Sequence, residues 1–217
     1  MTEQRLDGRV ERGNRTRRLV LRRTVAIASL EGLDSLSLGR LSTELQLSKS
    51  GVFALFGSKE ELQLATIRAA SRIYLDTVVT PALAHPPGLY RLWALSESWL
   101  RYSSRRVFPG GCFFQKAMTE YGSRPGPVQD ALRAADTEWR TLVRQTLTEA
   151  LDTGELAPGA DTAQLAFEVI ALWEAANLQS VLTDSDEPYD RARAGVRRLL
   201  GAVSTAGADF LATPAGD

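Results

Sequence analysis

The chain has 217 residues, with 26 Lys+Arg against 26 Asp+Glu, 44% apolar residues and one cysteine. That length can bury a sizeable core and that composition argues against wholesale disorder, while the single thiol, Cys112, excludes an internal disulfide framework or a multi-cysteine metal site. No apolar stretch opens the sequence and no run of about eighteen apolar residues occurs in it, so a cytoplasmic protein with no membrane partner is expected.

Residues 1–13 are polar and charged and read as a flexible basic tail. They begin a first quarter unlike the rest: residues 1–60 hold 11 Lys+Arg against 7 Asp+Glu, and eight of the basic residues are arginines between Arg5 and Arg23. Such a surplus fits either a local polyanion site or a solvated tail. Residues 15–32 predict a first helix, with Val20, Thr24, Ile27 and Ala28 on one face and a stop at Gly32. Ser37 is the N-cap candidate of a second helix whose Leu38, Leu41 and Leu45 point inward. After a turn at Gln46-Leu47, Ser48 caps a third helix, anchored by Val52 and Phe56 and ended by Gly57. Ser58-Lys59-Glu60-Glu61 has the capping-box form and opens a fourth helix, which Pro81 should stop. Beyond the breaker-rich residues 81–88, Leu89, Leu92, Trp93, Ser96, Trp99 and Leu100 outline a fifth. One short helix is expected between the turns of 108–127, a long one from Pro127 to Gly154, and two more over 162–182 and 189–206. Residues 213–217 read as a frayed end. The fold class is all-α, with about nine helices.

Two short helices joined by a tight turn, Ser37–Leu45 and Ser48–Phe56, form a helix-turn-helix whose second member is small enough to enter a major groove. With Leu47, Val52 and Phe56 docked, Lys49, Ser50, Phe53 and Ala54 remain on the outward face. Gly51 costs that helix roughly 1 kcal/mol relative to alanine, which makes sense where backbone passes close to DNA. The first turn of the Ser58 helix offers free N–H groups, and Lys59 beside them suits a phosphate oxygen. The alternative is an ordinary helical corner with Lys59 solvated.

Gly32, Ser37-Leu38, Leu41, Leu47-Ser48-Lys49, Phe53, Phe56 and Ser58-Lys59-Glu60-Glu61-Leu62 occur in an order that resembles the DNA-binding domain of the TetR family of bacterial transcriptional regulators. The resemblance covers about Arg17 to Leu64. It implies a DNA-binding domain over 14–62 and a helical ligand-binding and dimerisation domain over 63–217. It also implies that Lys49, Ser50, Gly51, Phe53 and Ala54 face a groove, and that Arg15, Arg17, Ser37, Ser48 and Lys59 touch phosphates or flank the minor groove. The family usually carries tyrosine at the Phe53 position, a polar residue such as histidine near Ala54 and Leu55, and glycine where Gln46 stands. Recognition is then expected to lean on apolar contact and backbone approach, and Gln46 to be strained if its φ is positive.

The same resemblance implies a homodimer formed by the last two helices, a palindromic operator in double-stranded DNA, and release by a small apolar or amphipathic molecule held among the middle helices. Leu165, Val169, Leu172 and Trp173 on one helix, and Val196, Leu199, Leu200 and Val203 on the other, form stripes that fit an interface or a core within one subunit. Trp93, Trp99, Phe113, Phe114, Met118, Trp139 and Trp173 are candidates to line the effector pocket, with Gln115, Glu174 and Asn177 to orient a ligand. All of these also fit an ordinary helical core. His85, the only histidine, lies in a breaker-rich linker, and no catalytic or metal-ligating set assembles around it. Neither cofactor nor metal is expected, and no enzyme activity. The competing class is a helical small-molecule-binding protein or enzyme that has lost specific DNA binding.

Overall fold

The computed structural model describes residues 3–205, with side chains from residue 13 onward; the expected frayed end at 213–217 lies outside the described residues. In chain order the elements are α1 (Glu3–Glu31), a 3-10 turn (Leu33–Ser35), α2 (Leu38–Glu44), α3 (Lys49–Phe56), α4 (Lys59–Tyr74), a π turn (Leu75–Val79), α5 (Thr80–Leu83), α6 (Leu89–Ser104), α7 (Phe113–Tyr121), α8 (Pro127–Asp152), α9 (Thr162–Thr183) and α10 (Glu187–Val203). With α4, the π turn and α5 running on unbroken, these are nine helical stretches, and the described residues contain no strand. The fold is all-α. The chain divides into two compact units: Met1–Arg72 with Phe108–Leu132, and Ile73–Val107 with Arg133–Asp217.

In the first unit, α1 begins at Glu3, well before the expected residue 15. Nothing between them but Gly8 and Gly13 opposes a helix, and each glycine costs only about 1 kcal/mol. Val20, Thr24, Ile27, Leu33, Leu41, Val52, Phe56, Leu62 and Thr66 are buried here, and the Thr66 hydroxyl donates to Thr24 Oγ1 at 2.9 Å. The unit also draws in residues far along the sequence. The Glu120 carboxylate on α7 accepts from the amides of Leu33 at 2.7 Å and Asp34 at 2.9 Å, supplying the cap that Gly32 has no side chain to provide. Gln63 Nε2 donates to the Leu33 carbonyl and to Tyr121 Oη. Gly110 lies so close to α1 that a Cβ there would meet the Ser29 carbonyl, so only glycine fits.

In the second unit the helix does not stop at Pro81, as its sequence suggested, but runs to Leu83. The π turn accounts for this. The Thr80 amide reaches back five residues to the Leu75 carbonyl, so the ladder shifts register just before proline's missing N–H. Leu92, Leu95, Trp99, Val143, Leu147, Val169, Trp173, Val196 and Leu200 form the core. A buried polar set ties α6 to α9 and α10: Ser103 Oγ donates to Asn177 Oδ1 and hydrogen-bonds Tyr189 Oη, both at 2.8 Å. Arg193 on α10 pairs with Glu97 on α6 at 2.7 Å, and Gly195 lets Leu172 of α9 approach α10 closely.

Candidate nucleic-acid interface

α2 and α3 are held by their caps. Ser37 Oγ accepts from the Arg40 amide and Ser48 Oγ from the Gly51 amide, both at 3.1 Å, and Ser58 Oγ accepts from Glu61 at 3.0 Å. The reciprocal half of the capping box is replaced. The Ser58 amide donates to the Phe56 carbonyl at 2.8 Å instead of to Glu61. Between the two helices Gln46 has φ +53°, the left-handed region that glycine adopts without penalty.

Val52 and Phe56 are buried, as their spacing required. Lys49, Ser50, Gly51, Phe53 and Ala54 are all exposed, and Phe53 keeps 59% of its surface open. The outward face of α3 thus combines a large aromatic ring with a lysine and a serine, all open to water. Gly51 has an intramolecular cause as well. A Cβ there would come within 2.8 Å of the capping Ser48 Oγ, so any other residue disturbs the cap.

Two of the expected phosphate ligands have partners inside the protein. Arg17 Nη1 donates to the Leu55 carbonyl at 2.6 Å and its guanidinium lies 4.7 Å from the Phe56 ring centroid. It thereby satisfies one of the carbonyls left orphaned at the end of α3 and fixes that helix on α1. Lys59 Nζ donates to the Asp34 carbonyl at 2.6 Å and pairs with the Asp34 carboxylate at 2.7 Å. That bond holds the Asp34 carboxyl below its ordinary range. Arg15, Ser37 and Ser48 are exposed. Arg40 is committed to Glu31 and Glu44, each at 2.6 Å, and lowers both carboxyls. The roles of Arg17 and Asp34, and the bond from Arg40 to Glu31, were not legible in the sequence, because those partners lie 9 to 38 residues away.

Residues 88–196, half of the chain, match a family model described as Tetracyclin repressor-like, C-terminal domain. The chain belongs to the TetR family.

The fold agrees throughout. A TetR transcriptional regulator from Chloroflexus aurantiacus superposes with a TM-score of 0.79 at 23% identity, over 88% of this chain and 94% of that one. A TetR-family transcriptional regulator from Streptomyces coelicolor gives 0.76 at 23% identity, over 94% and 96%. A putative transcriptional regulator from Saccharomonospora viridis, solved in complex with choline, gives 0.72 at 19% identity, over 86% and 96%. No curated protein matches the sequence.

The residues expected to line a TetR effector pocket divide between the units. Phe113, Phe114 and Met118 belong to the first, where Phe113 lies 5.7 Å from Phe108 and 5.2 Å from Phe114. Trp93, Trp139, Trp173 and Asn177 belong to the second, and Asn177 is taken up by Ser103. Within that unit five rings close a circuit. Tyr74 to Tyr102 is 5.3 Å, Tyr102 to Trp99 6.3 Å, Trp99 to Trp173 5.8 Å, Trp173 to Trp139 5.6 Å and Trp139 to Tyr74 5.2 Å. Tyr74 and Tyr102 were missed in the sequence. Their signal was there, since Thr66, Ala70 and Tyr74, and Leu95, Trp99 and Tyr102, repeat at helical spacing. Glu174, beside Arg140 at 3.6 Å, has its carboxyl raised above the ordinary value by burial.

The stripes assigned to a dimer interface are largely internal. Leu165, Val169, Trp173, Val196 and Leu200 are buried within one chain, while Leu199 and Val203 are half-buried. The open face of α9 carries Phe167, Leu178 and Leu182 instead, 61%, 62% and 83% exposed, with Ala171 and Ala175 between them. α9 is also long and apolar enough to cross a membrane by length and composition alone. Both properties follow from a helix that is apolar nearly all round. Among the described residues no cluster of His, Cys, Asp and Glu could hold a metal ion.

Proposed function

We propose that this chain is a ligand-responsive, sequence-specific DNA-binding regulator of the TetR family. It acts as a homodimer on a palindromic operator, most simply as a repressor that a small organic molecule releases. The observation that carries the reading is the division of α3. Val52 and Phe56 fasten the helix, and every residue assigned to base or backbone contact, Lys49, Ser50, Gly51, Phe53 and Ala54, faces solvent. Arg15, Ser37 and Ser48 are the positioning contacts to phosphate. Lys59 contributes only if it exchanges Asp34 for phosphate.

The dimer is assigned to the exposed stripe of α9, Phe167, Ala171, Ala175, Leu178 and Leu182, with the outer face of α10 beside it. Apolar residues so open and so regularly spaced call for a partner surface, and a second copy meets that need symmetrically. The choline complex of the Saccharomonospora viridis neighbour supports a small organic effector as the kind of ligand this architecture holds.

Selection from random double-stranded DNA with the purified protein, at several salt concentrations, tests the reading. Enrichment of a palindrome is the expected outcome. Binding that is weak, steeply salt-dependent and blind to sequence refutes specific recognition.

A further inference from the structure

A groove of about 200 Å³ opens in the second unit between the π turn and the C-terminal end of α6, walled by Thr77, Pro81, Arg101, Tyr102, Arg105 and Val107. It lies outside the surfaces assigned so far. Arg101 and Arg105 stand one helical turn apart, both exposed, and neither forms an ion pair among the described residues. Their neighbour Arg106 differs, donating to Tyr189 Oη and Ser180 Oγ at 2.9 Å. Two like charges at i and i+4 on one face repel. The negative end of the α6 dipole explains one cation there, and less readily a pair lining one groove. No Asp or Glu lines it. The opposite wall is a π turn, a distortion frequent at binding sites. Tyr102 joins the groove to the ring circuit of Tyr74, Trp99, Trp139 and Trp173.

We infer that this groove binds a small organic carboxylate, its anionic group between the guanidinium groups of Arg101 and Arg105 and its apolar part against Tyr102, Pro81 and Val107. The chemistry decides the class. The charged groups of the wall are donors only, and arginine meets carboxylate in a fork geometry that lysine cannot reproduce. A quaternary ammonium ligand would face two guanidinium charges with no carboxylate to offset them. The volume lies below the roughly 300–1,000 Å³ of sites for drug-sized molecules, which favours an acid the size of benzoate. That this acid is the effector rests on the regulator reading above; that it binds does not.

Calorimetric titration of the full chain with benzoate, benzamide and benzyltrimethylammonium, at low and moderate salt, tests the assignment. Benzoate should bind at least tenfold more tightly than either of the others. The double variant Arg101→Gln with Arg105→Gln should lose at least tenfold, while Arg144→Gln, an exposed arginine on α8, changes nothing. Equal binding of benzamide, equal loss in the Arg144 variant, unchanged affinity in the double variant, or no benzoate binding at all overturns it. The same preparation goes into the DNA selection. A palindrome without benzoate binding defeats only the groove, and benzoate binding without a palindrome defeats only the DNA reader.

Discussion

Replacing Arg17 by alanine separates two roles that one arginine could play near DNA. In the structure the guanidinium bonds the Leu55 carbonyl at 2.6 Å and stacks on Phe56 at 4.7 Å. A hydrogen bond from a charged group contributes about 1.5–3 kcal/mol, toward the lower figure here because Arg17 is half-exposed and water can replace it at the carbonyl. The cation–π contact adds about 0.5–1 kcal/mol. Since the two share one side chain and are not additive, Arg17→Ala should cost about 1–2 kcal/mol of stability. Urea denaturation followed by circular dichroism reads this as a lower midpoint with an unchanged slope. Arg17→Lys should recover only part, because a lysine keeps the charge without the planar stack. DNA affinity should fall as α3 loses its clamp, yet the dependence of log K on log salt should keep its slope. A direct phosphate ligand behaves oppositely, flattening the slope by about one per protomer. An unchanged urea midpoint together with a flatter slope refutes the clamp.

Gln46→Gly relieves a left-handed φ of 53° and should raise stability by roughly 0.5–1 kcal/mol, after the extra chain entropy of glycine is set against about 1–2 kcal/mol of strain, as checked by the thermal midpoint. Asp34, Glu31 and Glu44 all have carboxyls depressed below 3.8 or 4.5 by Lys59 and Arg40. Their stabilisation is therefore complete above those unfolded values and lost as pH falls through the lower folded ones. A thermal-midpoint titration should drop below about pH 4.5, and the drop should shrink in an Arg40→Gln variant. Glu174 runs the other way: its raised carboxyl opposes folding once pH passes 4.5, so Glu174→Gln should raise the midpoint at pH 7 and do nothing at pH 4. Leu178→Glu should turn the proposed dimer into a monomer by sedimentation velocity, whereas Leu165→Ala should lower stability before it changes assembly.

Local signals were legible in the sequence and long-range ones were not. Ser37, Ser48 and Ser58 cap the helices they were expected to cap, because a cap and its amide sit three residues apart. The outward face of α3 followed from spacing alone. Pro81 misled, because the π turn that accommodates it leaves no residue signature. α9 misled for another reason. An apolar helix carries no periodic mark of which side is inside, and only its packing on α6 and α10 turns Leu165, Val169 and Trp173 inward and leaves Phe167 and Leu182 outside. The effector residues were grouped from the family resemblance and their aromatic character, neither of which shows that Phe113, Phe114 and Met118 fold with the first unit.

The cap that Glu120 provides to Leu33 and Asp34 spans 87 and 86 positions of sequence. During synthesis, then, the helices that carry α3 leave the ribosome long before the carboxylate that completes them. A nascent chain that has reached Arg72 holds the whole helix-turn-helix, but the amides of Leu33 and Asp34 still await an acceptor and Gln63 awaits Tyr121. Closure of the first unit waits until α7 has emerged. Contacts at that separation slow folding, so chaperone demand and protease sensitivity should concentrate in the interval between residues 72 and 121.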